Sequence, residues 1–375
     1  MKKILTIVFV LMSIFGFGQD SLYLSGEISL VGGFAPDNEL NFLASGRYLP
    51  QIDYSHNFKN GTSIDFEAAA NLYGNVMFHP FDSSETDYGI KPYRLWLRFS
   101  GKQFEIRAGL QKINFGSANM LRPLQWFDDV DPSDPLQFTN GVYGILGKYY
   151  FLNNANIWLW GLYGNENPRG FESLQSNKKI PEFGGRVQLP VPKGEIAFSY
   201  HHRKANTGNI AQMPFVDSIA ENKVGIDAKF DLGFGIWFEA SYVKKEANLG
   251  ILTNQTFINL GADYTLGIGN GIMISAEHLT IAMDTEPFKF QKMYNITSLM
   301  LNYPIGFFDN LGLIAFYIWE TDDFMVMMNY QHDFKWFTLY LMPYYTPSLS
   351  QNILGNNYSS IMTGPGIRIL TVFNY

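Results

Sequence analysis

The chain has no cysteine, which excludes disulfides and all thiolate chemistry. Charge is scarce too. Asp, Glu, Lys and Arg together make 16% of the residues, against about 25% in ordinary soluble domains. Basic clusters are missing and the formal net charge is −7, so no nucleic-acid partner is expected. After the first eighteen residues, no run approaches the roughly 18 apolar residues of a spanning helix. The histidines number six, His56, His79, His201, His202, His278 and His332, and are scattered. His201 and His202 are adjacent, so on a strand their rings point to opposite faces and cannot share a metal. No phosphate loop or dinucleotide fingerprint occurs. These absences leave no cofactor, no metal site and no enzyme in the reading. A Ser-His-Asn hydrolase set built around His202 lacks any local motif.

What is present is apolar and evenly spread. Hydrophobic residues make 46% of the chain and aromatics 16%, with 22 Tyr and 32 Phe. Residues 1–18 read as a secretory signal. Lys2 and Lys3 open it, Ile4 to Phe15 form its apolar stretch, and Gly16-Phe17-Gly18 is a small-x-small cleavage site before Gln19. Removing Lys2 and Lys3 takes the formal charge from −7 to −9.

From there on, short alternating segments follow one another to Tyr375. In Tyr93-Arg94-Leu95-Trp96-Leu97-Arg98-Phe99 the odd positions are apolar and the even ones include two arginines. After Gly101, Phe104, Ile106, Ala108 and Leu110 alternate with Glu105, Arg107, Gly109 and Gln111. Successive strand side chains face opposite ways, so each arm has one apolar and one polar face. Tight breaks such as Lys59-Asn60-Gly61 and Ser100-Gly101-Lys102 interleave with longer polar stretches. That rhythm is the one of an all-β, antiparallel, up-and-down transmembrane barrel with short periplasmic turns and long extracellular loops. About eighteen strands fit, sixteen being the other even count considered. Residues 19–375 then form a single barrel domain in a bacterial outer membrane, with lipid, lipopolysaccharide and the barrel-assembly machinery of a Gram-negative cell as partners. Phe373 and Tyr375 are the expected assembly signal. Two segments depart from the alternation, Asn156–Tyr163 with Trp158 and Trp160, and Phe324–Met328. An inward loop packing on them, or a subunit interface, would account for both.

The connection after the fifth strand, about residues 114–140, is the longest. Leu121, Leu124, Trp126 and Phe127 call for burial, while Asp128, Asp129, Asp131 and Asp134 call for solvent or partners. Long connections inside compact structures tend to be functional. The aspartates have the carboxylate density of a calcium loop but lack its glycine and distal Glu, so no metal is assigned. Gly109-Leu110-Gln111-Lys112-Ile113-Asn114-Phe115-Gly116, with Pro123 and the pairs Asp131-Pro132 and Asp134-Pro135, resembles the strand and loop of the phosphate-selective and alginate-export porin group. The resemblance implies an eighteen-stranded porin whose fifth-strand loop folds inward. Leu124, Trp126 and Phe127 would anchor it. Arg94, Arg98 and Arg107 would face Asp128, Asp129, Asp131 and Asp134 at a pore constriction. Lys148, Arg186, Arg203 and Arg368 are the other cations expected to face the lumen. The function expected is passive diffusion of small hydrophilic or charged solutes. The alternative is a non-conducting barrel acting as a structural, adhesive or secretion-associated platform. Solute identity and oligomeric state are not legible.

Overall fold

The computed structural model describes residues 20–36, 41–80, 84–128, 130–131, 134–210, 214–347 and 363–375. The expected signal segment and Asp129 lie outside the described residues. The backbone forms β1 (Asp20–Ala35), β2 (Asn41–Asn57), β3 (Ser63–Phe78), β4 (Ser84–Ser100), β5 (Phe104–Gln111), β6 (Val142–Tyr150) and β7 (Asn156–Leu162). It continues with β8 (Gln175–Ser176), β9 (Glu182–Val191), β10 (Gly194–Asn206), β11 (Ile219–Asp231), β12 (Gly235–Lys245) and β13 (Asn254–Leu266). The last six strands are β14 (Ile272–Asp284), β15 (Met293–Pro304), β16 (Asp309–Ile318), β17 (Asp323–Asp333), β18 (Thr338–Thr346) and β19 (Gly364–Asn374). The two-residue β8 only extends the sheet at Ala205 and Asn206 of β10. The other eighteen pair antiparallel in sequence order, with β7 joined directly to β9. The register from Glu27↔Asn374 to Phe34↔Ile367 joins β1 to β19 and closes the barrel.

Closure satisfies the strand ladders all round, which a chain in hydrocarbon requires. The alternation then sorts the side chains. Leu95, Leu97, Ile106, Phe198 and Leu260 point outward and stand between 49% and 56% exposed. Their inward neighbours Arg94, Gln111, Ser199 and Asn259 are buried. An apolar outer face around a closed barrel is the surface of a membrane-spanning protein.

Connections of a few residues, such as 192–193 and 232–234, alternate with longer ones at the other end, 112–141, 163–181 and 207–218. The connections 36–40, 79–83 and 319–322, also on the longer-loop end, are short. They could not be told from ordinary hairpin turns by length.

The lumen departs from the expected polar lining. On the inward positions running from β12 through β19 to β3, Phe257, Leu279, Ile281, Ile296, Phe316 and Leu370 are buried in one apolar cluster. Met120, Leu121, Leu136 and Phe171, from the connections 112–141 and 163–181, pack into that cluster. This part of the wall is therefore core, packed against loop residues.

Candidate functional site

The connection 112–141 enters the lumen as it leaves β5. Gln111, fully buried, donates from Nε2 to the Gly144 carbonyl at 3.1 Å. Ile113, Phe115, Leu124, Trp126 and Phe127 then bury against Leu146, Trp160 and Leu162 of β6 and β7. The Phe115 ring stacks on Trp160 at 5.6 Å and meets Trp126 edge-on at 5.6 Å. Arg186 of β9 covers Phe115 at 5.2 Å. The apolar inner side of Asn156–Tyr163 is thus the seat of this aromatic cluster. Met325 and Met327, in the second segment of broken alternation, belong to the apolar cluster that holds Met120 and Leu121.

Across the lumen two carboxylates hold the connection by its backbone. Glu239 of β12 accepts the N–H groups of Ser117 (2.8 Å), Ala118 (3.0 Å) and Leu124 (2.6 Å). Glu277 of β14 accepts those of Asn119 (2.6 Å), Met120 (3.1 Å) and Leu121 (2.6 Å). Asn259, between them on β13, donates to the Leu121 carbonyl at 2.5 Å. A charged carboxylate buried mid-wall needs donors, and the loop supplies six N–H groups that have no ladder of their own. Local backbone makes the approach possible. Gly116 has φ +104°, and a Cβ there would stand 2.5 Å from Glu239 Oε2. On the wall, a Cβ at Gly225 would stand 2.3 Å from Leu124 Cδ2, so the glycine leaves the recess that Leu124 fills.

The expected constriction residues are arranged differently from the sequence reading. All seven expected luminal cations occupy inward positions in the register. Their partners are mostly on the wall. Arg98 pairs with Asp65 at 3.1 Å and lies 3.9 Å from Glu105. Arg107 lies 3.8 Å from Glu105 and 4.6 Å over the Trp96 ring. Arg94 donates to the carbonyls of Tyr93 (2.6 Å) and Thr139 (3.1 Å), the latter being its contact with the loop. Asp128 is 1% exposed and pairs with Arg122 of its own loop at 3.4 Å. Asp134 caps its own turn, accepting from the N–H groups of Leu136 (3.0 Å) and Phe138 (3.3 Å). The carbonyl of Asp131 accepts from the Asp134 N–H at 3.1 Å. Among the described residues, Arg98 and Arg107 thus meet carboxylates of adjacent strands, and Asp128 and Asp134 find their partners within the loop. At the barrel seam the Phe373 ring packs on Phe337, and Tyr375 exchanges backbone bonds with Gly26 while its hydroxyl meets that of Tyr48 at 2.6 Å.

A second connection, 163–181, seals the wall beside the first. Glu172 reaches Arg203 at 2.8 Å and also binds Lys223 and Arg169. Arg203 meets Glu221 at 2.6 Å, and Arg169 meets Glu182 at 2.7 Å. Burial alone would raise the Glu172 carboxyl, but Arg169, Arg203 and Lys223 outweigh it and hold it below the ordinary carboxylate range. Between the two connections lies a cavity of about 20 Å³, bounded by Gln125, Trp126, Arg169, Glu172 and Lys223. It has room for about one water. The rings of His201 and His202 do face apart. His201 is buried between Glu182 and Trp160, and His202 meets Asn222 at 2.9 Å on the outer side. Among the described residues, no group of three His, Asp or Glu stands ready for a metal ion.

Sequence reasoning missed Glu239, Glu277 and the 163–181 connection. A signal for the two glutamates was there. Each is a lone charge among the inward residues Trp237, Ser241, Ser275 and Leu279.

A membrane-spanning barrel of eighteen strands, with the connection after β5 packed inside, is the porin architecture. The chain shares its fold with the anion-selective porin from Comamonas acidovorans (10% identity, 95% of this chain and 100% of that one, TM-score 0.51). It also shares it with OccAB1 of Acinetobacter baumannii (8% identity, 95% and 96%, TM-score 0.58) and OccK7 (OpdD) of Pseudomonas aeruginosa (10% identity, 96% and 99%, TM-score 0.55). At these identities the likeness concerns the fold, and it does not single out the phosphate-selective and alginate-export group. No protein-family model matches the chain, and no curated protein matches it.

Proposed function

We propose that the protein is a passive, non-catalytic channel for small solutes in the outer membrane of a Gram-negative bacterium, its width set by the connection 112–141. The six backbone N–H bonds to Glu239 and Glu277 carry this reading. They tie a strand-five connection to the opposite wall, which divides the lumen at that level. Barrels of 16–18 strands are otherwise wide enough for an aqueous channel. Loop residues Leu124, Trp126 and Phe127 serve as anchor. The arginines Arg94, Arg98 and Arg107 line the wall on one side of the connection. Asp128, Asp129, Asp131 and Asp134 belong to the connection itself, where Asp128 and Asp134 hold its shape through Arg122 and the 134–138 turn. Phe373 and Tyr375 close the seam and serve as the assembly signal, after removal of a signal peptide over residues 1–18.

One observation favours the platform reading instead. The apolar cluster around Leu279, Ile296 and Phe316 fills part of the lumen with loop side chains. Purified protein in planar bilayers separates the two. Discrete single-channel openings support the channel. Silence over a range of voltage and salt supports the platform.

A further inference from the structure

The cavity between the connections 112–141 and 163–181 is bordered by donors that lack good acceptors. Arg169 borders it, is 8% exposed, and has its Nη1 buried without a partner among the described residues. The other nitrogens of that guanidinium are taken, Nε by Glu172 and Nη2 by Glu182 and Ser176. Two bordering wall residues bring further donors. Gln255 accepts from Lys245 at 2.6 Å, while its Nε2 donates to Met283 Sδ at 3.8 Å. A thioether is a weak acceptor. Ser241 accepts from Trp126, which leaves its hydroxyl proton to be donated. Glu172 and Glu221 also border the cavity, but their oxygens serve cations. Glu172 binds Lys223, Arg203 and Arg169. Glu221 binds Arg203 at 2.6 Å and lies 3.7 Å from both Lys223 and Lys245.

The ion pairs here do not balance. Four cations, Arg169, Arg203, Lys223 and Lys245, meet three carboxylates, Glu172, Glu182 and Glu221, and all seven side chains are buried. His201, on Glu182, adds no negative charge. Glu239, the next inward position along β12 from Ser241, is held by three loop N–H groups. A buried charge without its counter-charge is costly. A water in the cavity would need acceptors for its two protons, and the bordering carboxylates are engaged. An anion needs donors alone, and it cancels the surplus. The cavity has room for about one water, too little for an anion of four oxygens and suited to a monatomic one. We propose that it is a halide site, taking chloride, with Arg169 Nη1, Gln255 Nε2 and the Ser241 hydroxyl as donors. The ion joins the connection 163–181 to β12 and β13 and so fastens it against the wall. The site is independent of whether the lumen conducts.

Hydrogen exchange at the amides of Arg169, Glu172 and Ser176 tests it, in the full chain in lipid nanodiscs. Sodium gluconate, whose anion is too large for the cavity, is replaced stepwise by sodium chloride at constant ionic strength. A ligand that binds only the closed arrangement slows exchange in proportion to its concentration once above its dissociation constant. Exchange at these amides should then fall about tenfold for each tenfold rise in chloride, with bromide acting likewise and the amides of β15 unchanged. Ser241→Ala removes one donor to the ion and should raise the chloride needed for half the effect at least about tenfold. Crystals of the unaltered chain grown in bromide need no variant to fold, and should show an anomalous peak beside Arg169 Nη1. Equal exchange in chloride and gluconate, an equal chloride response in Ser241→Ala, or a cavity holding water alone in the bromide crystals would each overturn the site.

Discussion

Glu277 on β14 accepts the backbone N–H of Leu121 at 2.6 Å, although the two residues are 156 positions apart in the chain. The bond spans the barrel interior, from a connection that starts at β5 to the wall opposite. Glu239 does the same for Leu124 at 2.6 Å. Hydrogen bonds to a charged group are worth about 1.5–3 kcal/mol each in favourable settings. Converting both acids to glutamine leaves one acceptor oxygen at each site and removes the charge. The 117–124 backbone should lose about 2–4 kcal/mol of local stability on that change. Hydrogen exchange of this segment reads it directly, as a gain of roughly thirtyfold or more in exchange rate while the strands stay protected. Unchanged protection in Glu239→Gln with Glu277→Gln would remove the two acids from their anchoring role.

Trp126 is 4% exposed, between Phe115, Phe127 and the wall, and its Nε1 donates to Ser241 Oγ at 3.2 Å. Trp126→Ala should cost about 3–5 kcal/mol, the usual range for emptying a buried aromatic site. The loss falls on the loop cluster and not on the ladders. The barrel should still assemble and migrate differently boiled and unboiled, with a lower temperature for that conversion. Loss of all assembly would show that the loop cluster is needed to close the barrel, which the ladders alone do not suggest.

The 163–181 connection should respond to acid late. Its Glu172 carboxyl is held below the ordinary value of 4.5 by Arg169, Arg203 and Lys223. A depressed carboxyl stabilises the folded arrangement fully above that value, and the contribution fades as pH falls through the lower folded one. The segment should therefore stay protected from proteolysis down to about pH 5 and open only below the ordinary carboxylate range of about 4.3. Opening between about pH 7 and pH 5 would contradict the ion cluster as its latch.

The barrel was legible because the strand period is two and lipid enforces it. Leu95, Leu97 and Ile106 show it, since a charge at any of them would face hydrocarbon. Register needed little more, as consecutive strands pair in order. The lumen was harder. Inward residues obey no single rule, because Phe316 and Leu279 face packing partners while Arg98 faces Asp65. The broken alternation at Trp158, Trp160, Met325 and Met327 marked where loops rest. It did not say which backbone groups would be held, since the six N–H donors to Glu239 and Glu277 carry no side-chain signature. The aspartates drew attention by number, yet Asp128 and Asp134 spend their oxygens on Arg122 and on their own turn.

The width that the 112–141 connection gives the channel is read most directly from the single-channel conductance of the unaltered protein beside that of the Glu239→Gln, Glu277→Gln double variant, in planar bilayers at one salt concentration. Small, steady openings are expected for the unaltered protein, and larger, noisier ones for the variant as the 112–141 connection leaves the far wall. Equal conductance in the two, with the variant's connection shown by exchange to be released, would contradict the claim that this connection sets the width of the channel.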